Sequence, residues 1–370
     1  MKSTINIDVT PDKFFEDALK LLKDLITIPS FSKEEDGTAN CIESFLNKKE
    51  IKVNRFLNNV WAVNKFFDEK KITLLLNSHH DTVKPNAGYT NDPFKVIEAD
   101  GKLFGLGSND AGGPLVSLIA TFVHFYDDDS LPFNLLLAAT AEEEISGHNG
   151  IEILLPQLPK IDCGIVGEPT LMQMAIAEKG LLVLDCNAEG DAGHAARNEG
   201  ENAIYKAMKD IAWLSTVQFS KVSSFLGPIH VSVTSINTQN KAHNIVPSEC
   251  SFVVDIRVNE LYTFEEIISE IKENVNCEVL PRSTRLKPSF IEENHSLVKA
   301  GSMLGLSTYG SPTCSDRALM NFPAVKIGPG DSARSHSANE FIFIDEIKEG
   351  IQKYIQLLQN FSSLINNQKP

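Results

Sequence analysis

The sequence predicts an α/β fold, a mixed sheet flanked by helices and interrupted by a smaller α+β insert. Three observations carry this. Four short apolar runs, at 72–76, 133–139, 163–166 and 324–327, are continuous rather than alternating, as expected of strands covered on both faces. Helical stretches at 14–28, 115–126 and 344–364 alternate with them, which is how a sheet with helices on both sides is encoded. Between 178 and 285 the order changes to strand, helix, strand, strand, helix, strand, that of a ferredoxin-like unit of about 100 residues.

Taken in chain order, 14–28 carries Phe14, Leu19, Leu22, Leu25 and Ile26 at helical spacing and stops at Pro29. The run 72–76 leads into Asn77, Ser78, His79, His80 and Asp81. A glycine-rich turn from Gly105 to Gly113 opens the helix over 115–126. It lacks the GxGxxG spacing and the lysine of a phosphate loop and carries Asp110 at its centre, so a nucleotide site is rejected. The run 133–139 leads into Glu142, Glu143 and Glu144, and 163–166 into Gly167 and Glu168. The last run, 324–327, leads through Gly328 and Gly330 to His336. Within the insert, strands are expected at 181–187, 229–236, 249–258 and 277–280, with helices at 202–214 and 264–271. The domain reading is therefore 1–177 with 286–370 as one domain and 178–285 as the insert, with no internal repeat.

Composition narrows the function. The chain has 370 residues, with 34 Lys and Arg against 49 Asp and Glu, a net charge of −15. A polyanion is repelled by such a surface, so nucleic acid is excluded as a partner. No apolar run approaches the ~20 residues of a membrane span, and residues 1–13 lack the apolar stretch of a signal peptide. A cytoplasmic protein without a membrane partner is expected. The six cysteines show no CxxC pair or framework spacing, so they read as thiols away from the chemistry.

The chemistry lies at the strand ends. In open α/β sheets a ligand crevice lies beyond the carboxyl ends of the strands, and four segments deliver histidine or carboxylate there. An acidic triplet is ordinarily a solvated face, but this one follows a buried-type strand. Carboxylates crowded around one crevice repel each other unless cations sit among them. Imidazole and carboxylate without thiolate suit zinc, cobalt or manganese in a catalytic site.

At these positions the chain resembles the family of di-zinc amidohydrolases that includes acetylornithine deacetylase and succinyl-diaminopimelate desuccinylase. Five boxes carry the resemblance: Ser78-His-His-Asp81, Gly107-Ser-Asn-Asp110, Ala141-Glu-Glu-Glu144, Gly167-Glu-Pro-Thr170 and Gly328-Pro-Gly330 with His336. It implies a zinc-exopeptidase-like catalytic domain with an inserted lid and dimerisation domain. It further implies two divalent ions, zinc first and cobalt or manganese as alternatives. His79 and Glu168 would hold one ion, Glu144 and His336 the other, and Asp110 would bridge them. Glu143 would be the general base and Asp81 would orient the His79 ring. The adjacent His79 and His80 leave two candidates for the first ligand, of which the box alignment favours His79. In the insert, Gly193-His194 resembles a histidine acting across a dimer interface. His243-Asn244-Ile-Val-Pro247 resembles a substrate-binding box, and Asp255-Ile-Arg257 an arginine for the substrate carboxylate. Gly112 stands where many relatives carry lysine, and Glu142 where aspartate is commoner.

The activity these resemblances imply is hydrolysis of an N-acyl-L-amino acid, first N-acetyl-L-ornithine, as in arginine synthesis. N-succinyl-L-ornithine and N-acetyl-L-citrulline are alternative substrates. A metallo-dipeptidase and a non-catalytic binding protein on the same scaffold are the other classes. The expected partner molecules are the small N-acyl amino acid and a second copy of the chain, forming a homodimer through the insert.

Overall fold

The computed structural model describes residues 11–367 except residue 198. Most of the polar N-terminal stretch 1–13 lies outside the described residues. The chain divides into two compact units. The first holds the described residues of Met1–Ile176, Ile291–Tyr309 and Ser315–Pro370, the second Ala177–Phe290 and Gly310–Cys314. Residue 177 and segments 286–290 and 310–314, assigned to the larger domain on sequence, thus group with the insert.

In the first unit, Thr73–His79 and Asn134–Thr140 are strands buried at every residue, as their continuous apolar runs require. They pair in parallel, Leu76 opposite Leu137 and His79 opposite Thr140. Cys163–Val166 lies parallel on the other side of Thr73–His79, and Ala324–Lys326 runs parallel to Cys163–Val166. Asn59–Val63 and Met174–Glu178 join this parallel core antiparallel, so the sheet is mixed. Four parallel strands in the order 134–140, 73–79, 163–166, 324–326 end on one side. This is what gathers the boxes.

Helices cover the sheet. Gly113–Phe125 starts with Pro114 in its first turn, where a missing N–H costs nothing, and is buried along almost its whole length. Ile344–Asn366 buries Ile347, Ile351, Tyr354, Leu358 and Phe361 along one stripe, with the Phe361 ring 5.1 Å from Phe133. The sequence reading missed the helix Asp36–Asn47, the strands Asn59–Val63 and Met174–Glu178, and a small sheet of Ile97–Ala99, Lys102–Phe104 and Phe341–Phe343. None of the six cysteines is in a disulfide.

The second unit has the ferredoxin-like order. Its strands lie as His230–Asn237, Glu249–Val258, Gly180–Glu189, Glu278–Ser283, all antiparallel. Leu182, Leu184 and Cys186 alternate into a core with Phe252, Val254 and Ile256. Asn202 caps the helix Ala203–Leu214, and Thr263 with Glu266 forms a capping box on Phe264–Asn274.

Candidate metal centre

Seven of the residues singled out on sequence converge at the strand ends of the first unit. Two sets of three donors have all ligand atoms within 4.8 Å of one another: His79, Asp110 and Glu144, and His79, Glu143 and Glu168. His79 ends its strand with the imidazole fully buried. Its Nε2 is 3.3 Å from Asp110 Oδ1, 3.9 Å from Glu168 and 4.0 Å from Glu143. Its Nδ1 lies 3.0 Å from the Asp81 backbone oxygen and 3.4 Å from Asp81 Oδ1. An Nδ1–H donated to Asp81 leaves the Nε2 lone pair for a cation. His336 enters from the last strand's loop, with Nε2 3.0 Å from Glu144 Oε2 and 3.7 Å from Asp110 Oδ2.

His80 is engaged elsewhere. Its Nδ1 meets Thr38 Oγ1 at 2.9 Å and its Nε2 meets the Asn58 carbonyl at 2.9 Å. Both nitrogens are thus used, and burial pushes its pKa down to about 4. The geometry takes His79 into the donor cluster and His80 into the packing behind it.

The acidic loop is held by carboxylates. Asp81 accepts the N–H of Glu143 at 3.0 Å, that of Glu144 at 3.2 Å and the Ser32 hydroxyl at 2.7 Å. It therefore touches the His79 ring and the loop carrying Glu143 and Glu144 at once. Glu35, buried and not singled out on sequence, accepts the N–H groups of Lys33 and Glu142 and the Asn58 amide. Glu142, in place of the commoner aspartate, turns away to accept from Asn149.

A similar device holds the Asp110 turn. Gly107 begins it with φ +74°, and the Asp110–Ala111 peptide is cis. The buried carboxylate of Glu340 accepts the N–H groups of Gly107, Asn109 and Asp110. A further buried carboxylate, Asp316, accepts the Thr140 hydroxyl at 2.7 Å. No sequence pattern marks Glu35, Asp316 or Glu340, because each meets backbone or side chains from distant segments. The one available signal for Glu340 was its place four residues after His336.

Electrostatics fit this donor set to divalent cations. Burial, followed by the repulsion of Glu168, Asp316 and Glu144, pushes the Glu143 carboxyl well above its ordinary range despite nearby His79. Burial and the nearby Asp110 and Glu144 likewise push Glu168 up to about 8. Burial opposes a charged His79, yet its hydrogen bonds to Asp110 and Asp81 raise it well above its usual value. The hydrogen bond to Glu144 lifts His336 to about 9. Carboxylates crowded out of water in this way either take up protons or bind cations. The mixture of imidazole and carboxylate without thiolate is that of a catalytic metal site.

The insert residues form a separate group. His194 is exposed, on a two-residue strand paired with Ile245–Val246, and its Nδ1 accepts the Ala196 N–H. Asn244 lies beside it, its carbonyl accepting the Ala195 N–H at 3.0 Å. Arg257 lies on the Glu249–Val258 strand and donates Nε and Nη2 to the two oxygens of Asp255, at 2.8 and 3.1 Å.

Known proteins place this arrangement. The sequence profile of peptidase family M20/M25/M40 matches residues 75–360. A succinyl-diaminopimelate desuccinylase of Wolbachia pipientis is 26% identical, over 93% of this chain and 93% of its own. That of Psychromonas ingrahamii is 28% identical, over 90% and 95%. Among solved structures, the Bacillus subtilis YXEP protein, described as a dinuclear metal binding peptidase of the M20 family, superposes with a TM-score of 0.71. It is 14% identical, covering 96% of this chain and 99% of its own. With the family profile matched over most of its length and metal-binding donor sets at the strand ends, the chain belongs to peptidase family M20/M25/M40 and is a metal-dependent hydrolase of amide bonds.

Proposed function

We propose that the protein removes the acyl group from an N-acyl-L-amino acid, with N-acetyl-L-ornithine as first substrate. Two divalent ions, zinc by assignment, would be held by His79 and Glu168, by Glu144 and His336, and by Asp110 between them. The observation that carries this reading is Asp110 itself, whose Oδ1 faces His79 at 3.3 Å and whose Oδ2 faces His336 at 3.7 Å. One carboxylate thus addresses both histidines with a different oxygen. When bound, the ions would polarise the scissile carbonyl and lower the pKa of water towards ~7.

The chain's own groups do the remaining work. Glu143, half-buried within the donor cluster, takes the proton of the attacking water and passes it to the leaving amine. Asp81 fixes both the His79 ring and the Glu143 backbone, so base and ligand keep their separation. His194 steadies the developing oxyanion, with Asn244 beside it. Arg257, with Nε and Nη2 on Asp255, offers Nη1 to the α-carboxylate. The insert joins two copies into a dimer.

A second reading is supported by the curated relatives, which are named succinyl-diaminopimelate desuccinylases. The test is a panel of N-acetyl-L-ornithine, N-acetyl-L-citrulline, N-succinyl-L-ornithine, N-succinyl-diaminopimelate and a dipeptide, with and without chelator. Highest kcat/KM on N-acetyl-L-ornithine, lost on chelation, supports the first reading. Highest on N-succinyl-diaminopimelate supports the second. Turnover of the dipeptide alone rejects both.

A further inference from the structure

The turn that presents Asp110 is held from a point far along the chain. Glu340 is 2% exposed. Its Oε1 accepts the N–H of Asn109 at 2.8 Å and that of Asp110 at 2.9 Å, and its Oε2 that of Gly107 at 3.1 Å. Its backbone carbonyl takes a fourth, from Gly105, at 3.0 Å. Four N–H groups of one turn therefore end on one residue. Burying a second carboxylate beside Asp110 opposes folding unless strong hydrogen bonds or cations offset it. The three side-chain bonds use both carboxylate oxygens, which an amide side chain with its single acceptor oxygen does not replace, but the burial of a second carboxylate here calls for a further reason.

The neighbouring residues supply one. The same loop carries His336, four residues earlier, and both His336 and Asn339 adopt positive φ. Asn339 Oδ1 accepts the N–H groups of Thr90 and Asn91, which anchors the loop between its two working residues. Hydrogen bonds from beyond the ligands commonly orient them and tune their basicity. Here one short segment delivers a ligand at one end and grips the turn of another at its other end.

We propose that Glu340 is a positioning residue of the metal centre, setting the Asp110 carboxylate where two ions share it and coupling it to His336. This rests on the reading of Asp110 as the bridging ligand. Glu340 holds the backbone behind the ligand and does not itself enter the donor sets.

The test is zinc affinity, measured by competition with a chromophoric chelator on the full chain, alongside unfolding of the zinc-free protein. Glu340→Gln keeps the size of the side chain but turns an NH2 donor towards at least one backbone N–H. It should bind both ions about 10–100-fold more weakly and change the visible spectrum of the cobalt-loaded protein. Glu340→Asp keeps the charge but draws it back by one methylene, and its affinity should fall between those of Glu340→Gln and wild type. Wild-type affinity and spectrum in Glu340→Gln, with only the zinc-free protein destabilised, would overturn the inference. If Glu340→Gln does not fold, Glu340→Asp decides: weakened zinc binding supports the inference and unchanged binding overturns it. Asp110→Asn binding both ions as tightly as wild type would instead reject the bridging role on which the inference rests.

Discussion

His79 and His80 are neighbours in sequence with different partners, and their substitutions should separate accordingly. His80→Ala removes the imidazole that meets the Asn58 carbonyl and the Thr38 hydroxyl, of which the hydroxyl keeps the Glu35 carbonyl as partner, at a cost of about 1–3 kcal/mol. Denaturant unfolding should show that loss while metal content stays at the wild-type level. His79→Ala should do the reverse, and metal loss in His80→Ala alone would exchange the two roles. Glu143 needs a different separation, since it stands 4.0 Å from His79 Nε2 while Glu168 stands at 3.9 Å, and distance does not distinguish base from ligand. Glu143→Gln cannot accept a proton, so kcat should fall by about 10²–10⁴-fold with metal content unchanged. Glu144→Gln should lower the metal content instead. The donor types were readable in the sequence because strand ends converge; within the histidine pair only the box resemblance favoured His79, because the physical reason lies with Thr38 and Asn58 from other segments. Glu35 and Glu340 were hidden for the same reason: a carboxylate that accepts backbone N–H groups leaves no trace in residue spacing.

At the scale of elements, the centre follows from parallel pairing. His79 lies opposite Thr140 across parallel strands, so the chain after each strand leaves the sheet on the same side. Continuous apolar runs announced those strands, although Thr73–His79 extends beyond its apolar run because ladder pairing continues through Asn77 and Ser78. The order in which strands pair is set by long-range packing and could not be read locally. Gly112 is the departure from relatives that the structure accounts for. A Cβ there would sit 2.4 Å from the Gly107 carbonyl oxygen and 2.6 Å from Leu22 Cδ1, across the very turn that carries Asp110. Gly112→Ala should therefore shift that turn or lose stability by about 1–3 kcal/mol, the scale of overpacking. Thermal unfolding of the zinc-free protein, read beside zinc affinity, checks it: wild-type values of both would show that the turn tolerates the methyl group.

At the scale of the whole molecule, the donors found among the described residues all lie in the first unit. Ligands that bind only the folded state stabilise it by mass action, about 4 kcal/mol at a thousandfold excess over Kd. Calorimetry with chelator should lower the transition of the first unit and leave that of the insert. The insert bears on the proposed dimer. His230–Asn237 is the outer strand of its sheet, pairing with Glu249–Val258 on one side, and Ile236 on it is 54% exposed. An outer strand with open backbone groups is a template for another chain unless charge or covering blunts it. Identical copies meeting there satisfy a two-fold axis, since each offers the other the same edge. Sedimentation should give the mass of two chains, and Ile236→Lys should shift it towards one, because a lysine on an edge opposes strand addition. If His194 works on the partner's centre, mixing His194→Ala with Glu143→Gln subunits should restore turnover, because one of the two sites in each mixed dimer then has both groups intact. A monomer with full activity would assign the insert a role within its own chain.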